Sequence, residues 1–396
     1  MPGSLLAGGA RTPIGKLSGG LSSLSAATLG GHAITAALAN SGITGDQVDY
    51  VIMGQVLQAG TGQITARQAA VDGGIGMNVP AITINKVCLS GLNALYMADL
   101  MIQAGEADIV VAGGMESMSN APYLLPQARS GYRLGNSEVV DSLVHDGLWC
   151  AFDACHMGMG TEKYTASVDI DRSRQDEIAL QSNERAAKAQ AGGLFDEEIV
   201  PVEVPQRRGD AVIVDADEGI RGSTTMDSLG KLRPAFDKSG NITAGNASQI
   251  SDGASAIVVM SQAKATELAI SGLATIIGYG MVAGPDSASL LTQPSNAVKK
   301  ALANAHRRLN EIELFELNEA FAAVSAASMD DLGISDDIVN VNGGAIALGH
   351  PIGMSGSRLA LTLAHELRRR GGGLGAAALC GGGGQGDAIL LQVNGS

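Results

Sequence analysis

Ala81-Ile-Thr-Ile-Asn-Lys-Val-Cys88-Leu-Ser-Gly91 leads into a helix-like run, Ser90 to Ala104, and then into Asp108-Ile-Val-Val-Ala-Gly-Gly114. The last run is short, apolar and ends on glycines, as buried strands do. Ser90 to Ala104 is rich in Leu, Met and Ala nearly all round and stops at Gly105, which reads as a buried helix followed by its C′ glycine. The same order returns near the C-terminus. Ile338-Val-Asn-Val341 reads as a strand, Met354 to Arg370 as a helix with a basic last turn, and Leu374 to Leu379 as another buried strand, with Gly371 to Gly373 as the stop. Superposing the two units sets Ala112-Gly113-Gly114 over Cys380-Gly381-Gly382, and the helix after Cys88 over the helix after His350. Element order and glycine placement thus predict an internally duplicated α/β fold.

The chain has 396 residues, 45% hydrophobic and 17% charged, enough for an extensive core that a chain this long divides between two or three domains. Its 54 glycines follow no Gly-X-Y period and stand among apolar runs, so they mark tight turns and close backbone packing. A formal net charge of −14 argues against a dedicated nucleic-acid surface, which needs clustered Lys and Arg. A small anionic ligand needs only a local basic patch. Arg207-Arg208 through Arg221, Lys231 and Arg233 supply the candidate, and a solvated loop is the plainer reading of the same residues. Residues 1–10 carry no basic segment before an apolar core, and no apolar run reaches spanning length, so a soluble cytoplasmic protein is expected. Four cysteines are too few for a disulfide framework. Cys150, Cys155 and His156 lie close in sequence, but no second ligand pair follows them and no metal is expected.

Residues from about 119 to 248 differ in texture, carrying Pro122, Pro126, Pro201, Pro205, Pro234 and most of those basic residues. A polar helix near Asp171 to Ala191 has Ser/Asp starters and ends at Gly192-Gly193. The segment reads as an inserted domain that covers a site.

Three side chains are candidates for chemistry, and two of them, His350 and Cys380, stand beside glycines. Cys88 precedes the buried helix, where free N–H groups and the macrodipole favour a thiolate; an inert buried cysteine is the competing reading. His350, in Asn342-Gly-Gly-Ala-Ile-Ala-Leu-Gly-His350-Pro-Ile-Gly353, occupies a loop rather than an apolar helix face. Cys380 ends a strand and enters a four-glycine turn whose N–H groups can meet a developing oxyanion. Asn318, after Leu314-Phe-Glu-Leu317, reads either as an amide donor at a strand end or as a helix cap. Two cysteines and a histidine so placed suggest sulfur-based acyl transfer.

Over essentially its whole length the chain resembles a thiolase. The resemblance is carried by Arg11-Thr-Pro-Ile-Gly-Lys16, Asn85-Lys-Val-Cys-Leu-Ser-Gly91, Gly113-Gly-Met-Glu-Ser-Met118, Gly245-Asn-Ala-Ser248, Asn318-Glu-Ala-Phe-Ala322, Gly349-His-Pro-Ile-Gly353 and Cys380 with its glycines, all in family order. It implies the five-layered αβαβα thiolase fold. Residues 1–118, completed by about 249–270, would form the N-terminal half and 271–396 the C-terminal half. Residues 119–248 would be the inserted loop domain, for CoA binding and tetramerisation through Tyr123 to Val140. It also implies a homodimer or a dimer-of-dimers homotetramer.

The implied activity is the reversible, ping-pong Claisen condensation of two acetyl-CoA to acetoacetyl-CoA and CoA, with no permanently bound cofactor. Cys88 would carry the acetyl group, His350 would activate it, and Cys380 would take the methyl proton of the second acetyl-CoA. His350 and a water on Asn318 would hold the enolate oxygen, and the N–H groups of Cys88 and Gly382 the tetrahedral adduct. Leu148, His156 and Met157 match acyl and pantetheine positions; Arg221, Ser228, Phe236, Ser248, Ala320 and Phe321 match CoA contacts. Gln249 and Ser251 stand where the family more typically has Gly and Asn, and Met354 and Gln385 where Ala and Met are common. The alternatives are a degradative 3-ketoacyl-CoA thiolase of broader chain length, disfavoured by Met157, and a non-catalytic CoA-binding scaffold, disfavoured by the intact reactive set.

Overall fold

A computed structural model describes residues 3–287 and 289–395. Nine strands build the main sheet: β1 (Leu5–Arg11), β2 (Tyr50–Gly54), β3 (Ala81–Ile84), β4 (Ile109–Ser117), β5 (Ser251–Met260), β6 (Ala274–Ala283), β7 (Leu314–Leu317), β8 (Gly373–Gly381) and β9 (Gln385–Val393). Their order is β7-β8-β9-β6-β1-β5-β4-β2-β3, and a two-residue strand, Gly15–Lys16, also pairs with β5. The two halves join where β1 meets β6 through Leu5↔Thr275 and Leu6↔Ala274.

The duplication appears in the pairing itself. β2 is parallel to β3 and β4, and β5 is antiparallel to both β4 and β1. In the second half β7 is parallel to β8, while β9 is antiparallel to both β8 and β6. The counterpart of β3 departs from the strand expected over 338–341. Asp336–Ile338 form a 3₁₀ turn, and one parallel bridge, Phe315↔Val339, takes the strand's place. The reason is Asn340, at φ +46°, whose side-chain oxygen accepts from the Leu317 N–H and whose amide donates to the Leu317 carbonyl, both at 2.8 Å. A side-chain amide thus completes the ladder where a strand would have continued.

Among the described residues, the helices that build the layers are α1 (Ala26–Ser41), α2 (Thr65–Asp72), α3 (Ser90–Gln103), α4 (Arg172–Ala191), α5 (Gln293–Ala305), α6 (Ala322–Leu332) and α7 (Ser355–Arg369). Strand side chains alternate between faces, so Val51 and Met53 join α1 and α2 while Ile52 faces α3. In the second half Phe315 and Leu317 join α5 and α6, and Leu314 faces α7. α3 and α7 therefore form a middle layer buried on both sides, with Leu92, Leu95, Leu359 and Leu363 in one cluster between the half-sheets. Reading outward gives α1/α2, half-sheet, α3/α7, half-sheet, α5/α6. This is the five-layered thiolase architecture.

The middle helices touch through glycine. A Cβ on Gly356 would lie 2.3 Å from the Leu92 nitrogen, and one on Gly91 would lie 2.9 Å from the Met354 oxygen and the Ser357 nitrogen. Both helices begin Ser-Gly, Ser90-Gly91 and Ser355-Gly356, which is a sequence trace of the duplication. Helix α4 packs Ala186 and Ala189 against Ala347, Leu348 and Met354, beside the segment that carries His350. Its start is as expected, with the Asp171 carboxylate accepting from the Arg174 N–H at 2.8 Å. The buried Arg11 fastens the 195–217 stretch to the end of β1. It bonds Glu198 at 2.7 Å, grips Asp217 with two nitrogens and lies over the Phe195 ring.

Gly356→Ala should destabilise the protein by about 1–3 kcal/mol in urea unfolding, because the new methyl meets backbone that cannot rotate away. A change below about 0.5 kcal/mol would mean that the two helices are free to separate at this point.

Candidate active site

Cys88 sits on a turn held from both sides. Val87 takes a left-handed conformation at φ +51°, and Lys86 Nζ grips both carboxylate oxygens of Asp387 at 2.8 and 2.9 Å. Ser90 Oγ donates to the Val87 carbonyl and accepts from the Lys86 N–H. The residue keeps partial exposure toward a cavity, while its sulfur is enclosed enough by protein that burial pushes the thiol up to about 12. The Cys88 and Gly382 N–H groups point at that sulfur and pull the other way without prevailing. The thiolate expected from the helix N-terminus is therefore not the resting state: desolvation outweighs the N–H groups here.

His350 lies at the start of the second unit and is fully tied down. Its N–H donates to the Gln249 carbonyl at 3.1 Å and to Ser251 Oγ at 3.2 Å. Ser355 Oγ donates to the Pro351 carbonyl at 2.9 Å, so its contact with His350 Nδ1 at 2.5 Å assigns the proton to Nδ1. Nε2 is left as the acceptor, with Asn318 Nδ2 3.4 Å away. Burial, with a contribution from Arg358, pushes the imidazole down to about 3, so it is neutral, with the Nε2 lone pair able to accept. Asn318 is not a helix cap, since α6 begins at Ala322 after Phe321. Its Oδ1 is buried without a hydrogen-bond partner.

Cys380 is the penultimate residue of β8, and burial with the nearby Cys88 raises its thiol well above the ordinary value. Cys88, His350, Cys380 and Gly382 share the wall of one chamber of about 70 Å³ with Leu148, Met157, Ser248, Ala320 and Phe321. A larger groove, about 480 Å³, opens beyond it and shares Leu148, Met157, Ser248 and Phe321. Arg221, His156 and Phe236 line this outer groove together with Lys16 and Gln249. Aromatic rings run along it, His156 5.3 Å from Phe236 and Phe236 6.1 Å from Phe321. Ser248 N donates to the Ala320 carbonyl, clipping the two loops together.

Ser228 lies outside both walls. It is exposed and closes a capping box with Thr225. Of the basic stretch, Arg221 alone lines the groove, while Arg207, Arg208 and Arg233 are exposed and Lys231 pairs with Asp227 on its own helix. Sequence reasoning passed over Ser355, Ile352, Val87, Leu290 and Glu116. Glu116 accepts from the N–H groups of Val56, Leu57 and Gly353, holding the His350 loop, and burial raises its carboxyl to about 7. The Ser-Gly start common to both middle helices was the signal for Ser355.

The thiolase N-terminal domain description matches residues 4–263, and the thiolase C-terminal domain description matches residues 270–393. The chain belongs to the thiolase family. It is 54% identical over 388 residues to a probable acetyl-CoA acetyltransferase of Mycolicibacterium smegmatis, covering 98% of this chain and 100% of the relative. It is 50% identical over 383 residues to an acetyl-CoA acetyltransferase of Cupriavidus necator, covering 97% of each. It is also 47% identical over 388 residues to a probable acetyl-CoA acyltransferase of Staphylococcus epidermidis, covering 98% of each. The chain is thus an acyltransferase enzyme.

The depressed His350 value gives this thiolase a pH signature. Unfolded, the imidazole takes up a proton near 6.5; folded, it waits until about 3. The unfolded state binds more protons in that window, so this contribution to stability is present above pH 6.5 and is lost as pH falls towards 3. Between pH 7 and 4 the wild type should lose at least about 1 kcal/mol more unfolding free energy than His350→Asn. Equal losses in urea titrations would contradict a neutral buried His350.

Proposed function

We propose that this thiolase is an acetyl-CoA C-acetyltransferase, joining two acetyl-CoA into acetoacetyl-CoA and CoA through an acetyl-Cys88 intermediate. The observation that carries the reading is the convergence of Cys88, His350 and Cys380 on one small chamber, with the Cys88 and Gly382 N–H groups aimed at the Cys88 sulfur. A chamber of about 70 Å³ suits a two-carbon acyl group, with Leu148, Met157 and Ile352 as its walls. We take the degradative 3-ketoacyl reading as second. A medium-chain ketoacyl-CoA thiolysed faster than acetoacetyl-CoA would favour it.

In this reading the proton of Cys88 passes to His350 Nε2 as the sulfur attacks the thioester carbon. The oxyanion accepts from the Cys88 and Gly382 N–H groups; losing one such donor costs on the order of 10²–10³ in rate. Cys380 gives its proton to the departing CoA sulfur and becomes a thiolate opposite the His350 imidazolium. That thiolate removes a methyl proton from the second acetyl-CoA, a step to which a positioned base contributes about 10²–10⁴. The enolate oxygen is held by the His350 Nε2–H and by a water on Asn318 Oδ1. The enolate carbon attacks the acetyl-Cys88 carbonyl, the Cys88 sulfur leaves and recovers its proton from His350, and every proton is returned. Ser355 positions the imidazole by accepting from Nδ1–H throughout.

CoA lies along the outer groove, with Phe236, Phe321, Ala320 and Ser248 against pantetheine and Arg221 and the exposed Ser228 toward the nucleotide end. In this reading residues 119–248 supply that cover, between halves built from 1–118 with about 249–270 and from 271–396. No permanently bound cofactor or metal has a step here. No helix among the described residues is long and apolar enough to cross a membrane, and we place the enzyme in the cytoplasm.

Incubation with acetyl-CoA should add one acetyl group, lost in Cys88→Ser. Cys380→Ser should still accept it at Cys88 from acetyl-CoA, more slowly because the departing CoA sulfur loses its proton donor, while condensation falls by at least about 10². Equal loss of acetylation and condensation in Cys380→Ser would overturn this division of labour.

The same reading makes the protein a homodimer or a dimer of dimers. β3 is a sheet edge, and Ile82 on it is 38% exposed. An open edge bearing apolar side chains is a template for a second copy. Tyr123, Leu125, Leu134 and Val139 are exposed on the loop assigned to tetramer contacts. Sedimentation should give a dimer or tetramer that Ile82→Lys shifts toward monomer. A monomeric wild type at micromolar concentration would refute the assembly.

A further inference from the structure

A short hairpin carries two cysteines that the acyl-transfer chemistry does not use. Trp149–Cys150 pairs antiparallel with Cys155–His156, in the register Trp149↔His156 and Cys150↔Cys155. Directly opposed residues of an antiparallel pair send their side chains to the same face, with Cα atoms about 4.5–5.5 Å apart. The Trp149 and His156 rings meet edge-on at 6.5 Å, which confirms that register on one face and leaves both sulfurs on the other. Both cysteines are free thiols, Cys150 buried and Cys155 half-buried. Cys150 Sγ contacts Asp153 Oδ2 at 3.3 Å and accepts from the Asp153 N–H at 3.4 Å. A disulfide needs Cα atoms roughly 4.4–6.8 Å apart, so the backbone already has the required spacing and only side-chain rotation remains. A metal site is the other use of a Cys-Cys-His cluster. His156 points away from the two sulfurs, and no three ligand side chains among the described residues converge as metal ligands would.

We propose that Cys150 and Cys155 form a reversible intramolecular disulfide by exchange with a small-molecule disulfide such as oxidised glutathione. The Cys155 thiolate attacks the disulfide, giving a mixed disulfide and one small thiol. The Cys150 thiolate then attacks the Cys155 sulfur and releases the second. Two protein thiols are oxidised, one small disulfide is reduced to two thiols, and the two protein protons end on those thiols. In a reducing compartment the pair rests as dithiol.

The hairpin is placed to transmit the change. Met157, next after His156, lines the reaction chamber, and His156 lines the outer groove. At the hairpin tip, Phe152 lies against Gly383 in the turn after Cys380, and Asp153 accepts from Ser287 Oγ at 2.5 Å. Cross-linking fixes the strand that presents Met157 to the acyl group, so the oxidised enzyme should process acetoacetyl-CoA differently. This last step rests on the acetyltransferase reading; formation of the cross-link does not.

The test treats the full-length protein with excess oxidised glutathione near neutral pH, blocks free thiols with N-ethylmaleimide and maps peptides without reduction. Expected are a Cys150–Cys155 link in the wild type, a glutathione adduct held at Cys155 in Cys150→Ser, and unmodified Cys150 in Cys155→Ser. Thiolysis kcat/KM should change at least about threefold in the wild type, return with dithiothreitol, and differ from Cys155→Ser treated alongside. No link, or the same glutathione adduct in wild type and Cys150→Ser, would overturn the site. A link with wild-type activity tracking Cys155→Ser would overturn its effect on the pocket. An active enzyme that never cross-links sinks this inference alone, whereas an unacetylated Cys88 sinks the proposed function and leaves the mass result intact.

Discussion

The backbone contact between the first turns of α3 and α7 is the constraint on which the rest depends. Gly91 and Gly356 allow two buried helices to meet with no side chain between them, and Gly114 lets β4 pass under the same point, where a Cβ would fall 2.0 Å from the Gly353 oxygen. Cys88 lies just before one helix and His350 just before the other. Bringing the helix starts together therefore brings Cys88 and His350 to one chamber, without a loop having to reach across the protein. Cys380 arrives independently, at the end of the strand that pairs with β9. Each half thus contributes one strand-to-helix turn to the site, and Cys88 and His350 sit beside the close approach at Gly91 and Gly356.

That tightness has an electrostatic consequence. Burial pushes Cys88 up to about 12 and His350 down to about 3, so both are neutral at rest. A resting ion pair would need two charges desolvated with no substrate to share the field. In the reading above, charge arises only as bonds form, when the Cys88 and Gly382 N–H groups have an oxyanion to meet. The N–H groups aimed at the sulfur are therefore better understood as preorganised for the adduct than as thiolate stabilisers. The supporting carboxylates follow the same logic. Glu116 is raised to about 7 and Glu316 to about 8, the latter despite its contact with Arg358 at 2.9 Å. Glu116 is engaged by three backbone N–H groups and Glu316 by the buried Arg358, which offsets part of the cost of their burial.

What was legible in the sequence follows from what periodicity can encode. Helices such as α3 and α4 end within a residue of expectation, because Gly105 and Asp171 are local signals for local structure. The expected strand at 338–341 failed because its apolar pattern is real but Asn340 replaces the ladder with a side chain, which no hydropathy pattern reports. The choice between the two readings of Cys88 is hidden from the sequence for a related reason. The helix N-terminus is visible in sequence, whereas desolvation depends on what folds over it from hundreds of residues away. Asn318 was left open between two readings, and only the start of α6 at Ala322 removes the cap.

The departures at Gln249 and Ser251 show how the cover is coupled to the chemistry. Gln249 Nε2 donates to the carbonyls of Gly219, Ile346 and Ala347, and its Oε1 meets Arg221 at 3.4 Å. Its own carbonyl accepts from the His350 N–H and from Ser251 Oγ, which in turn accepts from His350 N. One side chain and one main-chain oxygen therefore join the segment bearing Arg221 to the loop bearing His350. A glycine here could offer the carbonyl but none of the amide contacts. Ser251 also packs against Gly349, where a Cβ would fall 2.4 Å from its hydroxyl, so this sequence keeps the His350 loop narrow to seat the hydroxyl. These substitutions leave the reactive groups untouched and stiffen the link between where a CoA thioester would be held and where it would react.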